Sequence, residues 1–122
     1  MLNQVVLVGR LTADPELTKL ENGKKVTTVN LAVQRTWKNE DAVYEADYIR
    51  CILWDAVAAS TTEYCHKGDI VGIKGRIQTG SYEDSNGNKK YTVDVIAEKV
   101  TFLTSKQIKE QEEQEEKEEQ KK

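Results

Sequence analysis

Val43-Tyr44-Glu45-Ala46-Asp47-Tyr48-Ile49-Arg50-Cys51-Ile52-Leu53-Trp54, running on into Asp55-Ala56-Val57-Ala58-Ala59-Ser60-Thr61-Thr62-Glu63-Tyr64-Cys65-His66-Lys67-Gly68, decides the architecture. The first twelve residues alternate. Ile49, Cys51 and Leu53 are apolar, while Tyr48, Arg50 and Trp54 interleave large aromatic rings with a guanidinium. Period two places those sets on opposite faces of a strand. From Asp55 the alternation stops, and the alanine-rich run reads as a helix. Asp55 is placed to cap its first turn, and Gly68 to end it in the left-handed conformation.

Working outward, four further strands appear. Gln4 to Thr12 is rich in Val and Leu and stops at Asp14-Pro15, where proline withdraws a ladder donor. Lys25 to Trp37 follows Asn22-Gly23, a dipeptide suited to the positive φ angles of a tight hairpin. Ile70 to Tyr82 lies beyond the helix, and Lys90 to Leu103 follows the turn Ser85-Asn86-Gly87-Asn88. The order is β-β-β-α-β-β. An all-β unit with one helix after its third strand fits a closed five-stranded Greek-key barrel of the OB type. An SH3-like barrel would not ordinarily carry a helix there.

A chain of 122 residues holds one such domain, expected over residues 1–104. Residues 105–122 are almost wholly Glu, Gln and Lys, with Ile108 the one large apolar side chain. They read as a charged tail, disordered or a solvated helix, because they cannot bury enough surface to offset ordering. The tail holds five Lys and seven Glu, leaving 13 basic and 14 acidic residues before it. The body is therefore nearly neutral, and any case for a nucleic-acid partner rests on where the charges fall.

The same reading excludes other classes. No apolar run is long enough to span a membrane and no targeting signal opens the chain, so a cytoplasmic protein is expected. Cys51 and Cys65 are then expected as free thiols. With His66 they are too few and too scattered for a metal site. A Cys65–His66 pair lacks a third group to orient the base, and no convergent carboxylates suggest metal-dependent hydrolysis. No catalytic residue, metal or cofactor is expected.

The strand faces carry the functional signal. Beyond Ile70, the odd set Val71, Ile73, Gly75 and Ile77 reads as core, while Lys74, Arg76, Gln78 and Tyr82 point outward with Gly72 and Gly80. In the second strand Val29, Leu31 and Val33 share the core face. Simple parity would bury Trp37 with them unless a bulge intervenes. Rings beside cations on an outward face suit a single nucleic-acid strand, whose bases stack and whose phosphates need neutralising. The alternative use of Tyr48, Trp54 and Tyr82 is to cover a subunit or partner surface.

The ordered series Asn3-Gln4-Val5-Val6-Leu7-Val8-Gly9-Arg10-Leu11-Thr12, Asp14-Pro15-Glu16, Leu31-Ala32-Val33, Trp37, Asp47-Tyr48-Ile49-Arg50-Cys51, Glu63-Tyr64-Cys65-His66-Lys67-Gly68 and Val71-Gly72-Ile73-Lys74-Gly75-Arg76-Ile77 resembles the bacterial single-stranded-DNA-binding proteins. The resemblance covers roughly residues 1 to 103. It implies an OB fold, assembled as a homotetramer around which single-stranded DNA wraps, in replication, recombination, repair or competence. It places the base-stacking aromatics on Trp37, Tyr48, Trp54 and Tyr82. Phosphate contacts would fall to Arg10, Arg35, Arg50, Lys67, Lys74 and Arg76.

Three features depart from the pattern of that family. Asp55-Ala56 follows Trp54 where a nearby lysine is common, and Gln78 and Gly80 stand where basic residues are frequent. The sequence given closes in Gln120-Lys121-Lys122, without the acidic Pro-Phe tip that docks replication and repair proteins in the long forms. A short accessory form is the expectation that follows. The competing class is an OB-fold structural subunit of a primosome-like or recombination complex, using the same face on protein.

Overall fold

The computed structural model describes residues 1–104; the expectation of a disordered or helical tail lies outside the described residues. Six strands and one helix follow in order: β1 (Val5–Leu11), β2 (Thr18–Lys19), β3 (Lys25–Lys38), β4 (Tyr44–Trp54), α1 (Asp55–Tyr64), β5 (Ile70–Glu83) and β6 (Lys89–Thr104). The sheet runs β1-β5-β6-β4-β3-β2 and closes on itself through β1–β3. Every pairing is antiparallel except β4–β6, which meet in parallel at Cys51–Val95 and Ile52–Ile96. Five long strands in that order, with a helix between the third and fourth, make the expected OB barrel. The two-residue β2 is the addition. It supplies the strand that the Asn22-Gly23 turn needs, with Gly23 at φ 85°.

The core is built from the odd positions that alternation assigned inward. Val29, Leu31, Cys51, Leu53, Val71 and Ile73 are buried together, joined by Val95 and Ala97 of β6, to which no face was assigned, and by Leu11 of β1. Ala58 and Thr61 of α1, with Cys65 just after it, are buried on one side and close the end of the barrel. Gly75 is a place where only glycine fits. A methyl there would collide with the carbonyl oxygen of Ile96, where a register shift bends β5 across β6.

Three local expectations are corrected. Asp55 does not cap the helix: it is the first helical residue, at φ 49°, and Trp54 occupies the cap position in extended conformation. The carboxylate is spent elsewhere, its Oδ1 accepting from the Lys25 N–H at 3.1 Å. Gly68 takes the left-handed conformation, φ 91°, but in the turn entering β5; the helix has already stopped at Tyr64. Ile77 is 44% exposed rather than core, because β5 and β6 outrun the barrel and project as a two-stranded arm.

Candidate nucleic-acid interface

The register lines the even positions of the strands into rungs across the outside of the barrel. One rung places Arg10 of β1 beside Ala32 of β3, and Ala32 beside Tyr48 of β4. The next places Asn30 beside Arg50, whose guanidinium reaches Asp94 of β6 at 3.4 Å, with Gln78 of β5 beyond. A third runs Thr28, Ile52, Ile96, Arg76. Trp54 follows two residues along β4 from Ile52, paired with Val26. Arg10, Tyr48, Arg50, Trp54 and Arg76 therefore share one outward face spanning the barrel.

Rings and cations alternate on that face at strand spacing. Tyr48 and Arg10 are two strands apart, about 10 Å, with only the methyl of Ala32 between them. Tyr48 is 71% exposed and Trp54 38% exposed, so both rings offer a flat apolar surface to solvent. Tyr82 extends the same even set onto the arm, with Lys90 directly across the ladder. Such a surface can stack unpaired bases and neutralise the phosphates between them.

The other expected contacts sit differently. Lys74 lies one rung beyond Arg76, opposite Lys99 on β6 and Val6 on β1, at the rim of the face. Lys67 is exposed in the turn before β5, where its backbone N–H donates to Asp14 Oδ1 at 2.7 Å. Arg10 Nη1 donates to the Gly68 carbonyl of that turn at 3.4 Å, drawing Lys67 toward the edge of the stripe. Trp37 is exposed, as a base-stacking role requires. The pairing of β3 with β4 slips by two residues between Gln34 and Lys38, which leaves parity unchanged; Trp37 keeps the inward parity and is exposed because this end of β3 has run past the core.

Arg35 is placed with the odd, core-side set of β3, away from Tyr48 and Arg50. It is held by two carboxylates, Asp47 at 2.8 Å and Glu45 at 2.8 Å. Hydrogen bonding from Arg35 keeps the Asp47 carboxyl below its ordinary range, and the guanidinium is raised in turn. It is the least available of the expected phosphate contacts.

Two aromatics escaped the sequence reading. Tyr44 lies under Lys38 Nζ at 5.3 Å, and Tyr91 under Lys89 Nζ at 5.5 Å. Both occupy arms that outrun the barrel. Tyr91 shares the parity of buried Val95 and Ala97, so alternation alone assigns it to a core that ends before reaching it.

The thiols take no part in the face. Burial pushes Cys51 and Cys65 up to about 11, with Asp94 and Asp69 adding to the effect, so neither is a nucleophile near neutrality. Among the described residues no cluster of three or more His, Cys, Asp or Glu is positioned to hold a metal.

Residues 2–103 match the Single-strand binding protein family. Single-stranded DNA-binding protein B of Bacillus subtilis (strain 168) is 49% identical over 106 residues, which span 87% of this chain and 94% of that protein. Single-stranded DNA-binding protein A of the same organism is 46% identical over 106 residues, spanning 87% of this chain but 62% of that longer relative. Single-stranded DNA-binding protein 3 of Listeria innocua is 46% identical over 107 residues, covering 88% of this chain and 67% of the relative. With residues 2–103 matched by the family model and relatives 46–49% identical over most of the chain, this chain belongs to the single-strand binding protein family.

Proposed function

We propose that this protein binds and coats single-stranded DNA without marked sequence preference, by base stacking and phosphate neutralisation, in DNA replication, recombination, repair or competence. The observation that carries the reading is the stripe Arg10–Ala32–Tyr48, Arg50, Trp54 and Arg76, which alternates rings and cations across four strands of the barrel. Trp37 and Tyr82 extend stacking onto the two arms, and Lys67 and Lys74 serve phosphates at its margins. Arg35 contributes only if its carboxylates release it. The role is binding, with no catalytic step, in the cytoplasm and at the nucleoid where its DNA lies.

The working unit is an oligomer, a homotetramer. Among the described residues, β1 from Val5 to Val8 is paired only with β5, so its other edge is open there. Val6 and Val8 are exposed on its outward face. An open apolar edge invites pairing with a second copy. Binding resides in residues 1–104, since the family match ends at residue 103; residues 105–122 are dispensable for it.

Titration with oligo-dT, following quenching of Trp37 and Trp54, tests the function. Trp54→Ala should weaken binding by about 1–3 kcal/mol, the worth of one stacked base in proteins of this kind, without unfolding an outward-facing site. A folded variant with unchanged affinity would remove Trp54 from the interface. Absence of any binding by the parent chain would favour the protein-docking use of the face.

A further inference from the structure

We propose that the β5–β6 arm engages single-stranded DNA on both of its faces, with Tyr91 and Lys89 forming a second ring-and-cation pair on the side opposite Tyr82. The inference rests on the single-strand-binding reading and extends it to a surface outside the barrel stripe. Tyr82 pairs across the ladder with Lys90, and Tyr91 with Ser81, so the two rings stand on neighbouring rungs. Adjacent rungs point to opposite faces of a two-stranded ribbon. Each face thus carries one tyrosine with one lysine beside it: Tyr82 with Lys90, Tyr91 with Lys89.

The second pair is open to a ligand. Tyr91 is 75% exposed, the most exposed ring among the described residues. Lys89 Nζ stands 5.5 Å from its centroid, although Glu83 is the cross-strand partner of Lys89. The cation is therefore held at the ring, and no Lys89–Glu83 ion pair occurs among the described residues. The arm is two strands wide here, because β4 meets β6 only at Val95 and Ile96. A DNA strand leaving Tyr82 needs to round one strand edge, about 5 Å of backbone spacing, to reach Tyr91.

A protein partner is the other occupant such a face could take, since Val93 is exposed beside Tyr91 and Ile77 is partly so. The lysine decides for nucleic acid. A buried protein contact would have to desolvate that ammonium, whereas a phosphate pairs with it. The arrangement also predicts a dependence on length, because only a strand long enough to pass around the arm can use both faces.

The test uses the full chain, poly-dT and a short oligo-dT, with tryptophan quenching and light scattering on every variant. Tyr91→Ala should keep the parent mass, bind the short oligomer as the parent does, and lose roughly five-fold or more in poly-dT affinity. Tyr91→Phe should restore it, since the ring alone stacks. Lys89→Gln should flatten the salt slope of poly-dT binding by about 0.7. Parent-like poly-dT affinity in Tyr91→Ala, while Trp54→Ala is weakened alongside, overturns this inference and leaves the barrel stripe standing. A fall in mass in Tyr91→Ala overturns it in favour of a subunit contact. If the parent binds no DNA at all, the proposed function fails and this inference with it.

Discussion

Asp94 is a carboxylate in the middle of a surface assigned to a polyanion, and its removal should strengthen binding. It lies between Gln78 and Arg50, 3.4 Å from the Arg50 guanidinium. That separation is longer than the about 2.7–2.9 Å of a good charge-assisted hydrogen bond. The Arg50 side chain is 58% exposed and that of Asp94 17%. Partly exposed pairs are worth about 0.2–1 kcal/mol, and the long contact puts this one near the middle, about 0.5 kcal/mol. Asp94→Asn frees that amount for a phosphate, so affinity for oligo-dT should rise about two-fold per subunit at moderate salt. Arg50 would then release one further counterion, steepening the slope of log K against log salt by up to about 0.7. The assay is a tryptophan-quenching titration at two salt concentrations. Asp47→Asn is the comparison: Glu45 still holds Arg35, which sits on the core-side set of β3, so its gain should be smaller than that of Asp94→Asn. Equal gains in the two variants, or no gain in Asp94→Asn, would refute the assignment of faces.

Other consequences are as direct. Gly75→Ala sets a methyl against the Ile96 carbonyl oxygen where backbone must yield, and should cost about 3 kcal/mol in urea unfolding, the upper end for overpacking. Val8→Lys places a charge on the open outward face of β1 and should lower the light-scattering mass, while the circular dichroism of the barrel is retained. Cys51 and Cys65, raised to about 11, should resist a thiol reagent at pH 8 in the folded protein and react once it is denatured. Because the folded state holds those protons more tightly, their contribution is complete below the ordinary thiol value. It should fade as pH rises from about 9 toward 11, read as a falling urea midpoint.

Alternation carried the barrel because each long strand has one face against the core. Ile49, Cys51, Leu53, Val71 and Ile73 are apolar for that reason, and Tyr48, Arg50 and Arg76 follow as its complement. Alternation marks the inward face only as far as the core extends. Ile77, Tyr91 and Val93 keep the inward parity on an arm that has left the barrel, and nothing in their spacing marks where the core stops. The two-residue β2 is too short to show a period, though Asn22-Gly23 marked its turn. Arg35 illustrates a different limit. A charge is visible in sequence, but its capture by Glu45 and Asp47 depends on the β3–β4 register. Asp55 departs from its expected capping role because its carboxylate is claimed by the Lys25 N–H, thirty residues away.

The parallel meeting of β4 and β6 has a consequence for how the molecule is made. Like the β1–β3 seam it is only two rungs long, at Cys51–Val95 and Ile52–Ile96, and it joins the β3–β4 pair to the β5–β6 pair. The Arg50–Asp94 contact and the Ile52–Ile96–Arg76 rung straddle it. A ligand lying across these rungs would grip both sides of that seam, so DNA bound there would be a clasp on the folded chain as well as its cargo. Ligand that favours the closed form adds RT ln(1 + [L]/Kd) to its stability. Protein on DNA would open more rarely than protein in reserve, and turnover in the cell would fall first on the unloaded copies.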